Sequence, residues 1–171
     1  MIPLLILGLL KQNPGAHGYE LLTLMEEQHF KFIVNYTKGS FYYNLQQLEE
    51  KKYIKKIEVE KENKVHETHN YVITELGNKE FERLMLKYGS KTEYVNLSFY
   101  AAMIFSNEYP KEEMLNLIKI QIKEIKERIS LIENALKSDK PISPFFRKML
   151  ENSRDHHVVN VKWFEKLLDD I

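Results

Sequence analysis

The feature that most constrains this chain is a repeat of large aliphatic residues in its second half. They recur at alternating intervals of three and four positions, which is the spacing of the a and d positions of a coiled coil. The repeat consists of Leu115, Ile118, Ile122, Ile125, Ile129, Ile132 and Leu136, and we call it the seam. It predicts one long helix over residues 111–138. Another helix must cover it, because burial of each side chain contributes roughly 1.5–3 kcal/mol.

Two arrangements can cover the seam. Residues 145–171 predict a last helix with an apolar stripe that includes Val161, Phe164 and Leu168, and this helix can fold back onto the seam within one chain. Alternatively, the seam can pack between two chains. Both can hold at once, since a seam and its flanks can face different partners. We predict a homodimer in which Phe164 and Leu168 join the seam at the interface.

The first half of the chain predicts short helices followed by a hairpin. Capping residues and helical spacing indicate helices at residues 3–11, 17–28, 38–51 and 75–87, and strands at 54–60 and 69–73. Residues 29–36 are expected to form an ordered connector pinned to the core by its apolar side chains. Three helices, a hairpin and a helix form the layout of a winged helix-turn-helix, in which the third helix enters the DNA major groove and the hairpin is the wing.

The predicted fold class is therefore mainly α with a small β-hairpin wing. We expect residues 1–89 to form a winged helix-turn-helix DNA-binding domain and residues 90–171 to form a long-helix dimerisation domain. The boundary is placed at the turn-forming residues 88–90. An apolar helix is also predicted at residues 93–105.

The outward face of the third predicted helix is polar but uncharged. Phe41, Leu45 and Leu48 define its buried stripe. Hydroxyl and amide side chains on the other face can contact phosphates or base edges, although the same face is compatible with an ordinary solvated surface. The predicted DNA contacts are Lys38, Gly39, Ser40, Tyr42, Tyr43, Gln46 and Gln47 on the helix, with Lys61 and Lys64 in the wing.

Composition limits the other functions that the chain can perform. There is no cysteine, so disulfides and thiolate metal ligands are excluded. His66 and His69 have a metal-ligand spacing, but wing and strand positions explain them better. No catalytic motif stands out, so we expect no enzyme, no catalytic residue, no metal and no cofactor. The apolar run at residues 1–10 is too short to span a membrane, and a cytoplasmic protein is expected.

Several motifs together resemble the PadR family of bacterial transcriptional regulators. They are His17-Gly-Tyr-Glu-Leu21, then Lys38-Gly-Ser-Phe-Tyr42 with a following Leu-Glu-Glu at 48–50, and Tyr71-Val-Ile-Thr-Glu-Leu-Gly77. The second half is similar to the longer subfamily with a helical C-terminal domain, through the aromatic pair Trp163-Phe164. That pair is better explained by core or dimer packing than by an effector site.

The resemblance implies a repressor that binds a palindromic operator on double-stranded DNA as a homodimer. It also implies release by a small aromatic effector, although no residue identifies the ligand. The chain departs from the family pattern at Phe41, which replaces a leucine, and at residues 51–53, where a glycine is usual. Its wing tip, residues 61–67, contains two acids and no arginine, whereas the wing tip of the family is usually rich in glycine and arginine.

A second function remains open from the sequence. Lysine and arginine equal aspartate and glutamate in number, 25 against 25, whereas DNA-binding domains are usually basic. A winged-helix protein-interaction module without specific DNA binding is the alternative. Salt dependence separates the two, because only binding to phosphates weakens steeply as salt rises.

Overall fold

The structure is a computed structural model that describes residues 1–57, 69–93, 95–138 and 142–170. It divides into two compact units, Met1–Thr92 and Glu93–Ile171. The predicted wing residues Lys61 and Lys64, together with His66, lie outside the described residues. The described part of the chain is mainly helical with one two-stranded antiparallel hairpin, so the predicted fold class is confirmed.

Within the described ranges, the first unit contains four α-helices and the hairpin, and the second contains three α-helices. The elements of the first unit are α1 (Ile2–Gln12), α2 (Gly18–Glu27), α3 (Lys38–Glu50), β1 (Ile54–Ile57), β2 (Asn70–Ile73) and α4 (Glu75–Gly89). Those of the second unit are α5 (Phe99–Ile104), α6 (Lys111–Lys137) and α7 (Pro144–Asp170). Short 3-10 helices occur at Phe30–Phe32 and Ser106–Glu108.

Helix α1 is the centre of the first unit. Its side chains Ile6, Leu7 and Leu10 are fully buried, and the helix packs against α2, α3, α4 and β2. A helix that is apolar on every side can be stable in water only when other elements surround it. Pro3 lies in the first turn, where its missing N–H would have no intrahelical partner.

Polar side chains define where the other helices of this unit begin. His17 Nδ1 accepts a hydrogen bond from the backbone N–H of Glu20 at the start of α2, at 3.1 Å. Thr74 Oγ1 accepts a hydrogen bond from the backbone N–H of Gly77 at the start of α4, at 3.0 Å. These bonds satisfy backbone donors that have no carbonyl partner in a first helical turn.

The hairpin is tied to the loop that follows α1. Strands β1 and β2 pair antiparallel, with Ile54 opposite Ile73 and Ile57 opposite Asn70. The buried side chain of Asn70 donates an amide N–H to the carbonyl oxygen of Gly15 at 2.5 Å. Strand β2 is therefore fixed to this loop.

In the second unit, α6 and α7 pack along each other. Phe99, Met114, Ile118 and Phe164 form its buried cluster. Lys126 on α6 pairs with Glu165 on α7 at 2.6 Å. Arg147 Nη1 on α7 donates to the carbonyl oxygen of Leu136 at the end of α6, at 3.2 Å. The last helix therefore covers α6 within one chain.

This packing covers the seam unevenly. Ile118 and Ile132 are fully buried, whereas the other five seam residues remain half-buried. Of the two residues predicted to join the seam, Phe164 is buried and Leu168 is half-buried. One chain thus leaves part of the seam accessible.

One expectation about local structure is wrong. The helix predicted at 93–105 is limited to α5, since Val95 and Asn96 are poor helix formers and Phe99 is the residue of this helix that packs inward. On α4, the apolar residues Leu76 and Met85 are each about half exposed, at 51% and 52%. The face of α4 that meets the core is instead centred on Leu84, about 100° from Met85 around the helix.

Candidate DNA-binding interface

Helix α3 is fastened to the core by one side and presents the other to solvent. Phe41, Leu45 and Leu48 are exposed by 4% or less, and the helix packs against α1 and α2. Because these three residues lie on one stripe, the opposite stripe must face away from the domain. This is the orientation that a major-groove helix requires.

The start of α3 is held by a reciprocal capping box. Thr37 Oγ1 accepts from the backbone N–H of Ser40 at 3.1 Å, and Ser40 Oγ accepts from the backbone N–H of Thr37 at 2.9 Å. The Ser40 hydroxyl also donates to the carbonyl oxygen of Thr37 at 2.9 Å. The hydroxyl of Ser40, a predicted DNA contact, thus also holds the first turn of the helix.

The other predicted residues on α3 are brought together on its solvent side. Lys38, Gly39, Tyr42, Tyr43 and Gln46 are exposed, whereas Gln47 is half-buried. The Tyr43 side chain is 64% exposed. Because Tyr43 lies opposite the buried stripe of α3, it can stack on a partner or form a hydrogen bond to it without any change in the packing of the helix.

Helices α2 and α3 approach closely at Gly18. A Cβ at this position would lie 2.8 Å from Leu45 Cδ2 and 3.2 Å from Tyr42 Cε1. The absence of a side chain therefore lets the start of α2 rest on α3 beside the exposed face. This contact sets the angle between the two helices of the helix-turn-helix.

Tyr19 is a further exposed aromatic residue near the start of α2. It shares a helical spacing with Leu22 and Met25, yet its side chain is 64% exposed. Its ring stacks on His17, with centroids 6.2 Å apart. The buried face of α2 is formed by Leu21, Leu22 and Met25, and only the tertiary packing reveals which side Tyr19 takes.

Lysines follow α3 into the hairpin. Lys51, Lys52 and Lys55 are exposed. Lys56 pairs with Glu49 of α3 at 2.9 Å, and the hydrogen bond to this carboxylate raises the pKa of Lys56. Within the described residues, positive charge thus lies where the reading helix meets the base of the wing, a position suited to phosphates.

The described ranges contain no group of three or more histidine or acidic side chains that could hold a metal ion. Among the same residues, no helix has the length and apolarity needed to cross a membrane.

Residues 6–83 match the transcriptional regulator PadR-like family. The N-terminal unit is therefore PadR-like over this range. The match covers α1 to α4, including the exposed face of α3. The family consists of transcriptional regulators, which confirms the expectation that this PadR-like chain is a DNA-binding regulator and not an enzyme. No curated protein sequence matches it significantly.

Solved structures share the fold of this PadR-like chain over almost its whole length. Bacillus subtilis PadR in complex with operator DNA superposes with a TM-score of 0.76 at 21% identity, covering 99% of this chain and 97% of the other. The structure of the same protein in complex with p-coumaric acid superposes with a TM-score of 0.73 at 20% identity, covering 98% of this chain and 96% of the other.

Two further relatives have the same architecture. A PadR-like transcriptional regulator from Bacillus cereus gives a TM-score of 0.74 at 24% identity, covering 99% of this chain and 97% of the other. The Vibrio cholerae virulence activator AphA gives 0.76 at 16% identity, with the same coverage of 99% and 97%. At these identities the likeness shows the fold of both units.

Proposed function

We propose that this chain is a sequence-specific repressor that binds a palindromic operator as a homodimer in the cytoplasm. The observation that carries the proposal is the exposed polar face of α3, which is held outward by the buried stripe of Phe41, Leu45 and Leu48. A helix presented in this way fits the major groove of B-DNA, where amide and hydroxyl groups can reach base edges.

The contacts divide into two classes on chemical grounds. Tyr43, Gln46 and Gln47 are proposed to face base edges, because hydroxyl and amide groups can both donate and accept hydrogen bonds there. Lys38, Gly39 and Tyr42, at the start of α3, are proposed to hold the phosphate backbone. Ser40 supports them through the capping box. Lys61 and Lys64 stay a prediction for the wing.

Dimerisation is proposed to involve the part of the seam that one chain leaves half-buried. Leu115, Ile122, Ile125, Ile129 and Leu136 keep accessible apolar surface, and Leu168 lies beside them on α7. A second copy of the chain would remove this surface from water. Two reading helices would then lie about 10 base pairs apart on the operator, because each half-site occupies one helical turn.

Control of DNA binding by a small aromatic effector is also part of the proposed function. Its support is the family match and the solved complex of Bacillus subtilis PadR with p-coumaric acid. The second unit of this chain offers an edge-to-face aromatic group around Trp163, in contact with Phe99, Tyr100 and Phe164. Displacement of bound DNA by phenolic acids would test this part directly.

The decisive experiment measures binding of the purified protein to the DNA upstream of its own gene. Fluorescence anisotropy at two salt concentrations should show binding that exceeds binding to scrambled DNA and weakens as salt rises. Tyr43→Ala should abolish the preference, whereas Leu86→Ala, an exposed change on α4 of the same unit, should preserve it. Salt-insensitive binding without preference for any duplex would favour the protein-interaction module.

A separate experiment tests the dimer. Sedimentation should give twice the mass of one chain, and Ile129→Asp should reduce it, because a charge buried in an apolar interface is costly. Ile120→Asp is the matched control, since Ile120 lies on α6 outside the seam and is 52% exposed. A dimer that tolerates Ile129→Asp but not Ile120→Asp would contradict the seam as the interface.

A further inference from the structure

An acidic residue lies on the outward stripe of α3. Gly39, Tyr43, Gln46 and Glu50 follow one another at intervals of four, three and four residues, so they share one side of the helix. At about 100° per residue, this stripe is almost diametrically opposite the buried one. Glu50 is exposed and is therefore presented on the same face as the proposed reading residues.

Both oxygens of this carboxylate are engaged by the reading amides. Gln46 Nε2 donates to Glu50 Oε1 at 2.8 Å, and Gln47 Nε2 donates to Glu50 Oε2 at 2.6 Å. Two hydrogen bonds to one charged acceptor restrict both glutamine side chains more than solvent would, since bonds to an ionised group are about twice as strong as neutral ones.

The helix dipole does not explain an acid at this position. Glu50 is the last residue of α3, where the negative end of the helix dipole disfavours a carboxylate. Its neighbour Glu49 is compensated by Lys56, whereas the oxygens of Glu50 accept from neutral amides. The arrangement thus places negative charge on the face that would meet DNA.

The three side chains together form a surface rich in hydrogen-bond acceptors. Each glutamine donates one N–H to Glu50 and keeps its Oε1 as an acceptor and its second N–H as a donor, and Glu50 keeps further lone pairs, so acceptors outnumber donors. In the major groove, adenine and cytosine present amino donors, whereas guanine presents only acceptors. Such a surface can accept a hydrogen bond from a base amino group, but it repels the O6 and N7 atoms of guanine, which are acceptors themselves.

We propose that Glu50 is a positioning and specificity-determining residue of the reading helix. It orients the amides of Gln46 and Gln47 and selects bases with a major-groove amino group, adenine or cytosine, against guanine. This inference rests on the proposed DNA-binding function. The negative charge also lowers affinity for arbitrary DNA, because it opposes the phosphates.

The test selects binding sites from a pool of duplexes with a randomised central segment. The wild-type protein should enrich adenine or cytosine over guanine by about tenfold at one position in each half-site, within the range expected for one good base contact. Glu50→Gln should lose this preference and bind scrambled duplexes more tightly. Glu82→Gln, which removes an exposed acid from α4, is the matched control and should leave the preference intact.

A second background separates positioning from direct contact. In a protein with Gln46→Ala and Gln47→Ala, the further change Glu50→Gln should not alter base preference, because the amides that it orients are gone. Circular dichroism confirms that each variant is folded. An additional loss of preference in that background would overturn the positioning role.

The outcomes also separate this inference from the function on which it rests. A wild-type protein that enriches no sequence overturns the proposed repressor function and this inference with it. A wild-type preference that survives unchanged in Glu50→Gln overturns the role of Glu50 alone.

Discussion

Gly77 lies near the start of α4, where this helix closely approaches the residues that begin and end the hairpin. Replacing it with a larger residue should destabilise the first unit. A Cβ built on Gly77 would collide with the backbone carbonyl of Tyr53 and would lie 2.8 Å from Ile73 Cγ1. The Tyr53 carbonyl is itself held by Thr74, whose N–H and hydroxyl donate to it at 3.0 and 3.1 Å. The added methyl group must therefore displace backbone rather than a flexible side chain.

Two opposing effects determine the magnitude for Gly77→Ala. In an unobstructed helix, alanine is favoured over glycine by about 1 kcal/mol. Overpacking in a rigid site costs roughly 1–3 kcal/mol, sometimes more, and a fixed carbonyl is a rigid obstacle. We expect a net decrease of about 2 kcal/mol in the free energy of unfolding of the first unit.

Gly89 ends the same helix and supplies the matched control. No atom lies within 4 Å of a Cβ built on it, so Gly89→Ala should stabilise the unit by up to about 1 kcal/mol. Urea denaturation followed by far-UV circular dichroism measures both changes. The single tryptophan, Trp163, lies in the second unit, and its fluorescence identifies any transition there. A Gly77→Ala protein as stable as Gly89→Ala would refute the reasoning.

Three other perturbations follow from the structure. Thr37→Ala removes the cap of α3 and should cost about 1 kcal/mol in urea denaturation, with Thr37→Ser nearly neutral. Phe41→Ala empties a fully buried site and should cost about 3–5 kcal/mol, while the Trp163 fluorescence of the second unit is retained. Burial, followed by the nearby charge of Arg128, lowers the pKa of His157. The unfolded chain therefore binds more protons than the folded one, and the free energy of unfolding should fall as pH drops below about 6.5. The His157→Gln protein should lose less stability over this range.

Much of the first unit could be predicted from local patterns. The caps Thr37 and Thr74 indicated where α3 and α4 begin, because side-chain caps act within a single turn. The stripe of Phe41, Leu45 and Leu48 also indicated which side of α3 is buried. These signals lie within a few residues of one another, so they do not depend on the rest of the fold.

Other features required knowledge of the neighbouring elements. Helical spacing grouped Tyr19 with Leu22 and Met25, yet Tyr19 is exposed because the face of α2 that meets the core is centred elsewhere. On α4, Met85 is also apolar but exposed, because it lies outside the face of this helix that packs on α1. Periodicity defines which residues share a side, but a distant element decides which side is covered.

The sequence by itself thus determined the helices of the first unit, their starting points to within about one residue and the family that this unit resembles, because these depend on contacts within one turn or on motif spacing. Only the tertiary structure showed that α7 covers Ile118 and Ile132 while leaving the rest of the seam half-buried. It alone brought Gly77 against the start of the hairpin. These contacts depend on side-chain rotamers and on packing between elements that are separate in the chain, and no local pattern encodes them.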